Sequence, residues 1–151
     1  MLDLKKTNAA DPDFVRLVKK LDEDLTIRDG DDHEFYDQYN QLDDIKYVVV
    51  AIKNGRAIGC GAIKQWDDQT MEVKRMWVDV QERGQGFASQ ILNFLEEWAR
   101  ELGFNRCILE TGIRQPEAIG LYKKNRYMVI ENYGQYQGVK TSVCFEKYMP
   151  S

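Results

Sequence analysis

Apolar residues recur at helical spacing in three parts of the chain. One part follows Asp11 and Pro12, which can cap a helix and take its first position. Another follows the sequence RGQG and stops before Gly103, a residue type that commonly ends helices, and the third begins at Pro116. The pattern predicts helices over 12–25, 87–102 and 116–125, with a further short helix over 32–41.

Other runs are rich in β-branched and aromatic residues and have the length of strands. Asn54-Gly55 separates the first two runs and is a strong hairpin signal, and a third run extends this hairpin to a meander. The third run, the helix after it and the fourth run form a βαβ crossover, so these two strands should be parallel in an otherwise antiparallel sheet. The predicted strands cover 46–53, 56–66, 71–80, 106–112, 127–133 and 141–149.

The length of 151 residues fits one domain, here 1–151, with a substantial hydrophobic core. Hydrophobic residues make up 43% and charged residues 30%, which is typical of a globular protein. The net charge of −4 argues against nucleic acid as a partner, because binding by counterion release needs a basic surface. No apolar run approaches the roughly 20 residues of a membrane span, and the N-terminus lacks the apolar core of a signal peptide. The sequence therefore predicts a cytoplasmic protein with no membrane partner.

Cysteine and histidine positions predict no metal site. Cys60, Cys107 and Cys144 are widely spaced, and each lies in an apolar run without a CxxC pair. This pattern predicts buried free thiols in a reducing compartment. His33 is the only histidine and lies in an acidic segment, so we expect a surface residue there.

The sequence RGQGFASQIL at 83–92 joins a glycine-rich turn to the start of a helix. Helix N-termini present unpaired N–H groups and partial positive charge, so a phosphate is the natural ligand. The turn lacks the Lys-Ser/Thr of a Walker loop. It has Ser where a dinucleotide fingerprint has Gly or Ala, and no acid ends a strand about 20 residues later.

A third pattern, R-x-x-G-x-A, fits Arg83 to Ala88, directly after a strand and before a helix. Here the chain resembles the GNAT superfamily of acyl-CoA-dependent N-acetyltransferases, whose pyrophosphate-binding signature is Gln/Arg-x-x-Gly-x-Gly/Ala. EVKRMWV (72–78) resembles the fourth strand of that family, and ETGIRQPEAIGLYKKNRY (110–127) resembles its later strand and Leu-Tyr helix. The chain departs from the family at Val80, Gln115 and Arg126, where Pro, Asn and Gly are common.

The resemblance implies an α+β fold with one mixed, mostly antiparallel sheet of about seven strands. Its parallel pair, 71–80 and 106–112, should splay apart, and helices should cover both faces. Acetyl-CoA is the implied acyl-donor co-substrate.

For acetyl-CoA binding, the resemblance implies that backbone amides of the glycine turn hold the pyrophosphate. Amides of the preceding strand should stabilise the oxyanion. Trp77 has two open interpretations, a core aromatic residue or a wall of the acceptor pocket. The candidate cofactor-binding residues are Met76, Trp77, Val78, Arg83, Gly84, Gln85, Gly86, Phe87, Ala88, Ser89 and Gln115.

Attack of an amine on a thioester requires a base, oxyanion donors and an acid for the leaving thiolate. Tyr122 corresponds to the family tyrosine that donates to the leaving sulfur, although a helical tyrosine can also serve packing alone. Glu72 is the candidate base, and strand alternation should place it on the same face as Met76, where it could face the site or pair with a neighbouring strand. Glu110 is the reserve base.

The acceptor is expected to be a primary amine of an unidentified small molecule or peptide. The segment 22–44 has ten acids against Arg28, which favours a cationic acceptor, while an acidic surface that aids solubility is the alternative. The loop 132–142 carries Tyr133 and Tyr136 and predicts a flexible mouth with an aromatic rim.

The basic residues Lys123, Lys124 and Arg126 either form a solvated face or meet the 3′-phosphate of CoA. Two other functions stay open, a non-catalytic acyl-CoA-binding regulatory module and a structural domain without a ligand. A homodimer is also left open by the sequence.

Overall fold

The structure is a computed structural model and describes residues 2–29 and 45–150. The helix predicted over 32–41 and His33 lie outside the described residues. The helices are α1 (Pro12–Asp29), α2 (Phe87–Glu101) and α3 (Pro116–Lys124), and single 3-10 turns lie at Val80–Glu82 and Gly134–Tyr136. The strands are β1 (Leu2–Thr7), β2 (Tyr47–Lys53), β3 (Arg56–Gln65), β4 (Thr70–Val78), β5 (Arg106–Gly112), β6 (Met128–Ile130) and β7 (Ser142–Tyr148).

In the described ranges, seven strands form one mixed sheet in the order β1-β2-β3-β4-β5-β7-β6. β1 to β4 pair antiparallel in sequence order, and β7 pairs antiparallel with both β5 and β6. β4 and β5 pair in parallel across the α2 connection. The predicted fold class, meander and crossover are confirmed.

Helices pack on both faces of the sheet, as predicted. On one face, which we call the α1 face, Phe14 and Leu17 of α1 pack against β2 and β3. On the other, the α2 face, Ile91 and Leu95 of α2 pack against the sheet, and α3 joins the same core. All four of these side chains are fully buried.

Asp11 fixes the start of α1 and joins it to β1. Its Oδ1 accepts hydrogen bonds from the backbone N–H groups of Asp13 (2.8 Å) and Phe14 (3.4 Å), and Lys5 Nζ lies 3.0 Å from Oδ2. Burial opposes ionisation of Asp11, but these bonds and one from Thr7 outweigh it and lower the pKa of the carboxyl group. The predicted N-cap is confirmed.

β4 contains a β-bulge that changes which face its side chains meet. The register with β3 shifts around Gly61, so that this one residue opposes both Arg75 and Met76. Arg75 has φ 62°, in the left-handed region that non-glycine residues seldom adopt. Glu72 lies on the α1 face because the residues on either side of it pack against α2, whereas Met76 packs into the α2-face core. The predicted common face for Glu72 and Met76 is therefore wrong.

Some element boundaries also differ from the prediction. α1 continues past the predicted end at residue 25, and β6 is limited to Met128–Ile130 where 127–133 was predicted. β1 was not predicted, since only Leu2 and Leu4 of its six residues alternate inward between charged neighbours. These ends depend on tertiary pairing more than on local composition.

Several local predictions are confirmed. Gly103 has φ 94° just after α2, and Asn54 and Gly55 have φ 53° and 77°, as a tight hairpin turn requires. The three cysteines are free and buried. Within the described part of the chain, no helix combines the length and apolarity needed to cross a bilayer.

Candidate functional site

The candidate site lies where β4 and β5 separate. Their parallel ladder ends at the pair Glu72 and Ile108. A cleft of about 460 Å³ occupies the gap beyond this point, and the later residues of β4 and β5 line it up to Val78 and Gly112. The cleft is bordered by α1 on one side and by α2 and α3 on the other, so it passes through the sheet.

The glycine turn opens into this cleft. Gly84 and Gly86 have φ 81° and 82°, which glycine adopts without strain, and a Cβ on either residue would meet no atom of the described residues within 4 Å. Gly86 is the N-cap of α2, and no side chain within 2–29 or 45–150 caps this helix. The first turn of α2, from Phe87 to Ser89, borders the cleft. Its N–H groups have no helical acceptor, so the arrangement fits an anion.

Glu82 anchors the start of this turn, and sequence analysis did not identify it. Its buried carboxylate pairs with Lys53 (2.8 Å) and Arg56 (3.1 Å) of the β2–β3 hairpin. Gln85 Nε2 donates to the backbone oxygen of Glu82 at 3.3 Å. The side chain of Gln85 therefore holds the turn in shape, while its neighbours line the cleft.

Arg83 joins the glycine turn to the end of β4. Its Nε donates to the backbone oxygen of Val78 at 2.8 Å, and its guanidinium carbon lies 4.6 Å from the centre of the Trp77 ring. Trp77 is buried in the α1-face core, donates to Asp79 at 3.1 Å and also borders the cleft. Trp77 therefore belongs to the core and also lines the cleft, and its part in an acceptor pocket stays a prediction.

Glu72 is buried at the closed end of the gap. Its Oε2 accepts a hydrogen bond from the Tyr133 hydroxyl at 2.6 Å, and Lys74 Nζ lies 3.7 Å from its Oε1. Burial lowers the pKa of Lys74, while the charge of Glu72 opposes this shift. Burial, with the charge and hydrogen bond of Glu72, raises the pKa of Tyr133. The sequence offered no signal for this Tyr133 contact, which links positions far apart in the chain.

Glu110 borders the same cleft from β5. Its Oε2 accepts a hydrogen bond from Ser142 Oγ at 2.6 Å. Tyr136 is buried beside the cleft, and its ring meets that of Tyr133 edge-on at 5.7 Å. Tyr136 is thus buried and Tyr133 half-buried, where the sequence predicted a flexible mouth with an aromatic rim.

Tyr122 reaches the cleft from α3. Its ring packs 5.8 Å from the rings of Tyr127 and Phe145, and the residue is 6% exposed. Burial raises the pKa of Tyr122, and the charge of Glu110 adds to this effect. The hydroxyl therefore stays protonated at neutral pH.

Contacts at the C-terminal end of α3 fix its position beside the glycine turn. Gln115 is the N-cap at the other end and borders the cleft, and its side chain makes no capping bond in the described part of the chain. At the C-terminal end, Asn125 Nδ2 donates to Ser89 Oγ at 3.0 Å and to the backbone oxygen of Leu121 at 2.9 Å. Asn125 was not singled out in the sequence, because only the fold brings it to α2.

The charged residues around the cleft divide into two groups. Lys123, Lys124 and Arg126 are exposed, and of these Lys124 borders the cleft. Arg28 of α1 pairs with Asp24 at 2.9 Å and also with Glu117 of α3. In residues 2–29 and 45–150, no cluster of three or more metal-binding side chains occurs.

Comparisons with known proteins give one consistent result. A sequence profile of the acetyltransferase (GNAT) family matches residues 14–126. The chain is similar to the IAA acetyltransferase of Azospirillum brasilense, with 35% identity over 105 residues that cover 69% of this chain and 68% of the relative.

Two solved structures are similar over nearly the whole chain. One, from Klebsiella pneumoniae and described as an acyl-CoA N-acyltransferase, has 30% identity and a TM-score of 0.84, covering 99% of this chain and 98% of that one. The other, a GNAT family acetyltransferase of Elizabethkingia anophelis with acetyl-CoA bound, has 20% identity and a TM-score of 0.71, covering 98% of each chain. At that identity the second likeness concerns the fold alone.

Proposed function

Because the chain belongs to the GNAT acetyltransferase family, acetyl-CoA is its acyl donor, and we propose that it acetylates a primary amine of a small molecule or peptide. The amine attacks the thioester carbonyl, and collapse of the tetrahedral intermediate releases the N-acetyl product and CoA thiolate. One observation carries the proposal: the cleft between β4 and β5 joins an uncapped helix N-terminus to two carboxylates and a tyrosine.

The glycine turn is the proposed site for the pyrophosphate of acetyl-CoA. Backbone N–H groups from Gly84 to Ser89 would hold it, and the open space around both glycines supports a close approach. The backbone amides of the segment from Met76 to Val78 that point to the edge left by β5 are the proposed oxyanion donors. Gln115 would contact the co-substrate from the opposite wall.

Glu72 is the proposed general base, with Glu110 in reserve. An amine arrives mainly as the ammonium ion and has to lose a proton before it attacks. Glu72 is buried beside the gap, and the hydrogen bond from Tyr133 fixes the orientation of its carboxylate. It would accept the proton directly or through a water molecule.

Tyr122 is the proposed acid for the leaving thiolate. Its hydroxyl stays protonated because burial raises its pKa. It lies on the wall that faces away from α1, so the base and the acid approach the gap from different sides. This separation suits a reaction in which the attacking amine loses its proton on one side of the tetrahedral intermediate and the thiolate leaves from the other side.

The two carboxylates favour an acceptor that arrives with a positive charge. Glu110 lies two residues beyond Ile108, the partner of Glu72, so both acids belong to the same face of the sheet. Their negative potential attracts an ammonium group from solution.

Calorimetry with acetyl-CoA, followed by a thiol-release screen over amines, tests the proposal. The screen should include polyamines, amino acids, aminoglycosides and peptide N-termini, with an amine-free blank for thioester hydrolysis. We expect binding and amine-dependent release of CoA. Binding without release on any amine supports a non-catalytic acyl-CoA-binding module, and absence of binding contradicts both functions.

A further inference from the structure

Arg75 is a buried arginine that borders the cleft on the α1 face and has no part in the proposed reaction. It stands at the β-bulge of β4, and its side chain is 3% exposed. A left-handed φ is costly for a residue with a long side chain, and such strain is found preferentially at functional sites.

The bulge determines where this side chain lies. Two consecutive residues of β4 direct their charges to the α1 face, because Lys74 approaches Glu72 there and Arg75 Nη1 lies 3.0 Å from Asp22 Oδ1 of α1. In a regular strand the second of these two side chains would enter the apolar core under α2. The extra residue therefore places an arginine beside the cleft.

The guanidinium group of Arg75 is only partly satisfied. Its Nη1 has the carboxylate of Asp22, but in the described ranges its buried Nε has no hydrogen-bond partner. A buried charged donor without a partner carries a large desolvation cost. Arg75 also lines the cleft, so an acceptor atom on a ligand can reach it.

We infer that Arg75 binds a carboxylate group of the acceptor, which rests on the proposed N-acetyltransferase function. The planar edge of a guanidinium group matches a carboxylate in a bidentate pair. The acceptor is thus an amino carboxylate, with its amine toward Glu72 and its carboxylate toward Arg75.

The charge pattern of the α1 face agrees with such a zwitterion. Along β4 one acid, Glu72, is followed by two cations, Lys74 and Arg75. Three residues of extended strand place the backbone of Glu72 roughly 10 Å from that of Arg75. Glu110 adds a second acid on the β5 side. A purely cationic acceptor would leave Arg75 Nε without a partner and would place its own charge near two cations.

The test compares amino carboxylates with their own carboxamides as acceptors for the whole wild-type protein. The two members of each pair differ in one charge and have nearly the same shape. We expect kcat/KM for CoA release to be at least 10-fold higher for the carboxylate member. Equal rates for both members would overturn the inference and leave the N-acetyltransferase function standing.

Two variants separate ligand binding from a structural role. Arg75→Lys keeps the positive charge but loses the paired N–H donors of the guanidinium group. KM for the amino carboxylate should therefore rise, while kcat and acetyl-CoA affinity stay close to wild type. Asp22→Asn removes the ion pair and leaves Nε in place, so the preference for carboxylates should persist. Loss of the preference in Asp22→Asn alone would contradict the assignment.

A thermal-shift measurement in the presence of CoA covers the case in which no amine is turned over. Turnover of no amine would count against the proposed function. Selective stabilisation by the carboxylate members would still support the Arg75 site, and equal stabilisation by both members would contradict it. Because it uses the wild-type protein, this measurement also tests the Arg75 site if the Arg75→Lys variant fails to fold.

Discussion

Tyr122 and Tyr127 are neighbouring buried tyrosines with different surroundings. Tyr122 borders the cleft, whereas the Tyr127 hydroxyl donates to Glu96 Oε2 at 2.8 Å in the α2-face core. Their rings touch edge-on at 5.8 Å. The pair therefore offers a comparison between two hydroxyl groups in nearly the same part of the fold.

Tyr122→Phe should lower kcat by about 100-fold, because a general acid in the transition state is lost. Affinity for acetyl-CoA, measured by calorimetry, should stay close to wild type. Tyr127→Phe is the matched control: it should lower the free energy of unfolding by about 1 kcal/mol with kcat unchanged. Similar losses of kcat in both variants would remove Tyr122 from the acid role.

Glu72→Gln should abolish the acidic limb of the pH profile of kcat/KM, because the group that accepts the proton is gone. The amide oxygen can still accept the hydrogen bond from Tyr133, so the pocket keeps its shape. Glu110→Gln, measured in parallel, should retain the limb. A profile that is unchanged in Glu72→Gln and altered in Glu110→Gln would exchange the two roles.

The position of a single site residue could be predicted from the sequence where that residue belongs to a local motif. Glu72 and Tyr122 lie at the cleft, as the resemblance implied, although their roles stay predictions. Tyr133 and Arg75 could not be placed in the same way. The first depends on a contact with β4 across 61 residues, and the second depends on a bulge that shifts alternation by one position.

Among the elements, β4 is held between its neighbours by close packing at Gly59. A Cβ on Gly59 would lie 2.9 Å from the backbone oxygen of Trp77 and 3.0 Å from Ile91 Cδ1 of α2. The backbone contact cannot be relieved by a change of rotamer. Gly120 of α3 differs, since a Cβ there would have no atom of the described ranges within 4 Å.

Gly59→Ala should lower the free energy of unfolding by about 1–3 kcal/mol, because β4 has to move away from β3. Gly120→Ala should raise it by about 0.4–1 kcal/mol through reduced freedom of the unfolded chain. Urea unfolding of both variants checks the pair. If Gly59→Ala were as stable as wild type, β4 could not be packed as closely as described.

Most elements could be predicted because their periodicity and end signals are local. α2 begins at a glycine turn and ends before Gly103, and β5 has the predicted bounds Arg106–Gly112. β1 and the short β6 were harder, since both lie at the edges of the sheet and are defined by pairing with one neighbour. Pairing across the sheet is not visible in strands as short as these, which have six and three residues.

For the whole molecule, the gap between β4 and β5 is a place where the sheet lacks internal hydrogen bonds. A ligand held by β4, β5, α2 and α3 would connect parts that the chain itself leaves apart. Binding should therefore stabilise the native state as a unit.

Acetyl-CoA at 100 times its dissociation constant should stabilise the protein by about 2.7 kcal/mol. Differential scanning calorimetry should then show a rise in Tm of several degrees. Pantetheine at the same concentration should have a smaller effect, since it lacks the pyrophosphate that the glycine turn would hold. An equal rise with pantetheine would place the main binding contacts outside that turn.

The bulge at Arg75 has a consequence for how β4 tolerates change in length. The strand carries two alternation phases joined at one residue. Before the joint Glu72 and Lys74 lie on the α1 face, and after it Met76 and Val78 pack in the α2-face core. Deleting that residue would leave every other side chain chemically intact and would reverse the faces of the segment from Met76 to Val78, so that Met76 and Val78 would leave the α2-face core and Trp77 would leave the α1-face core. Insertions or deletions in this strand should thus be far less tolerated than substitutions of similar size.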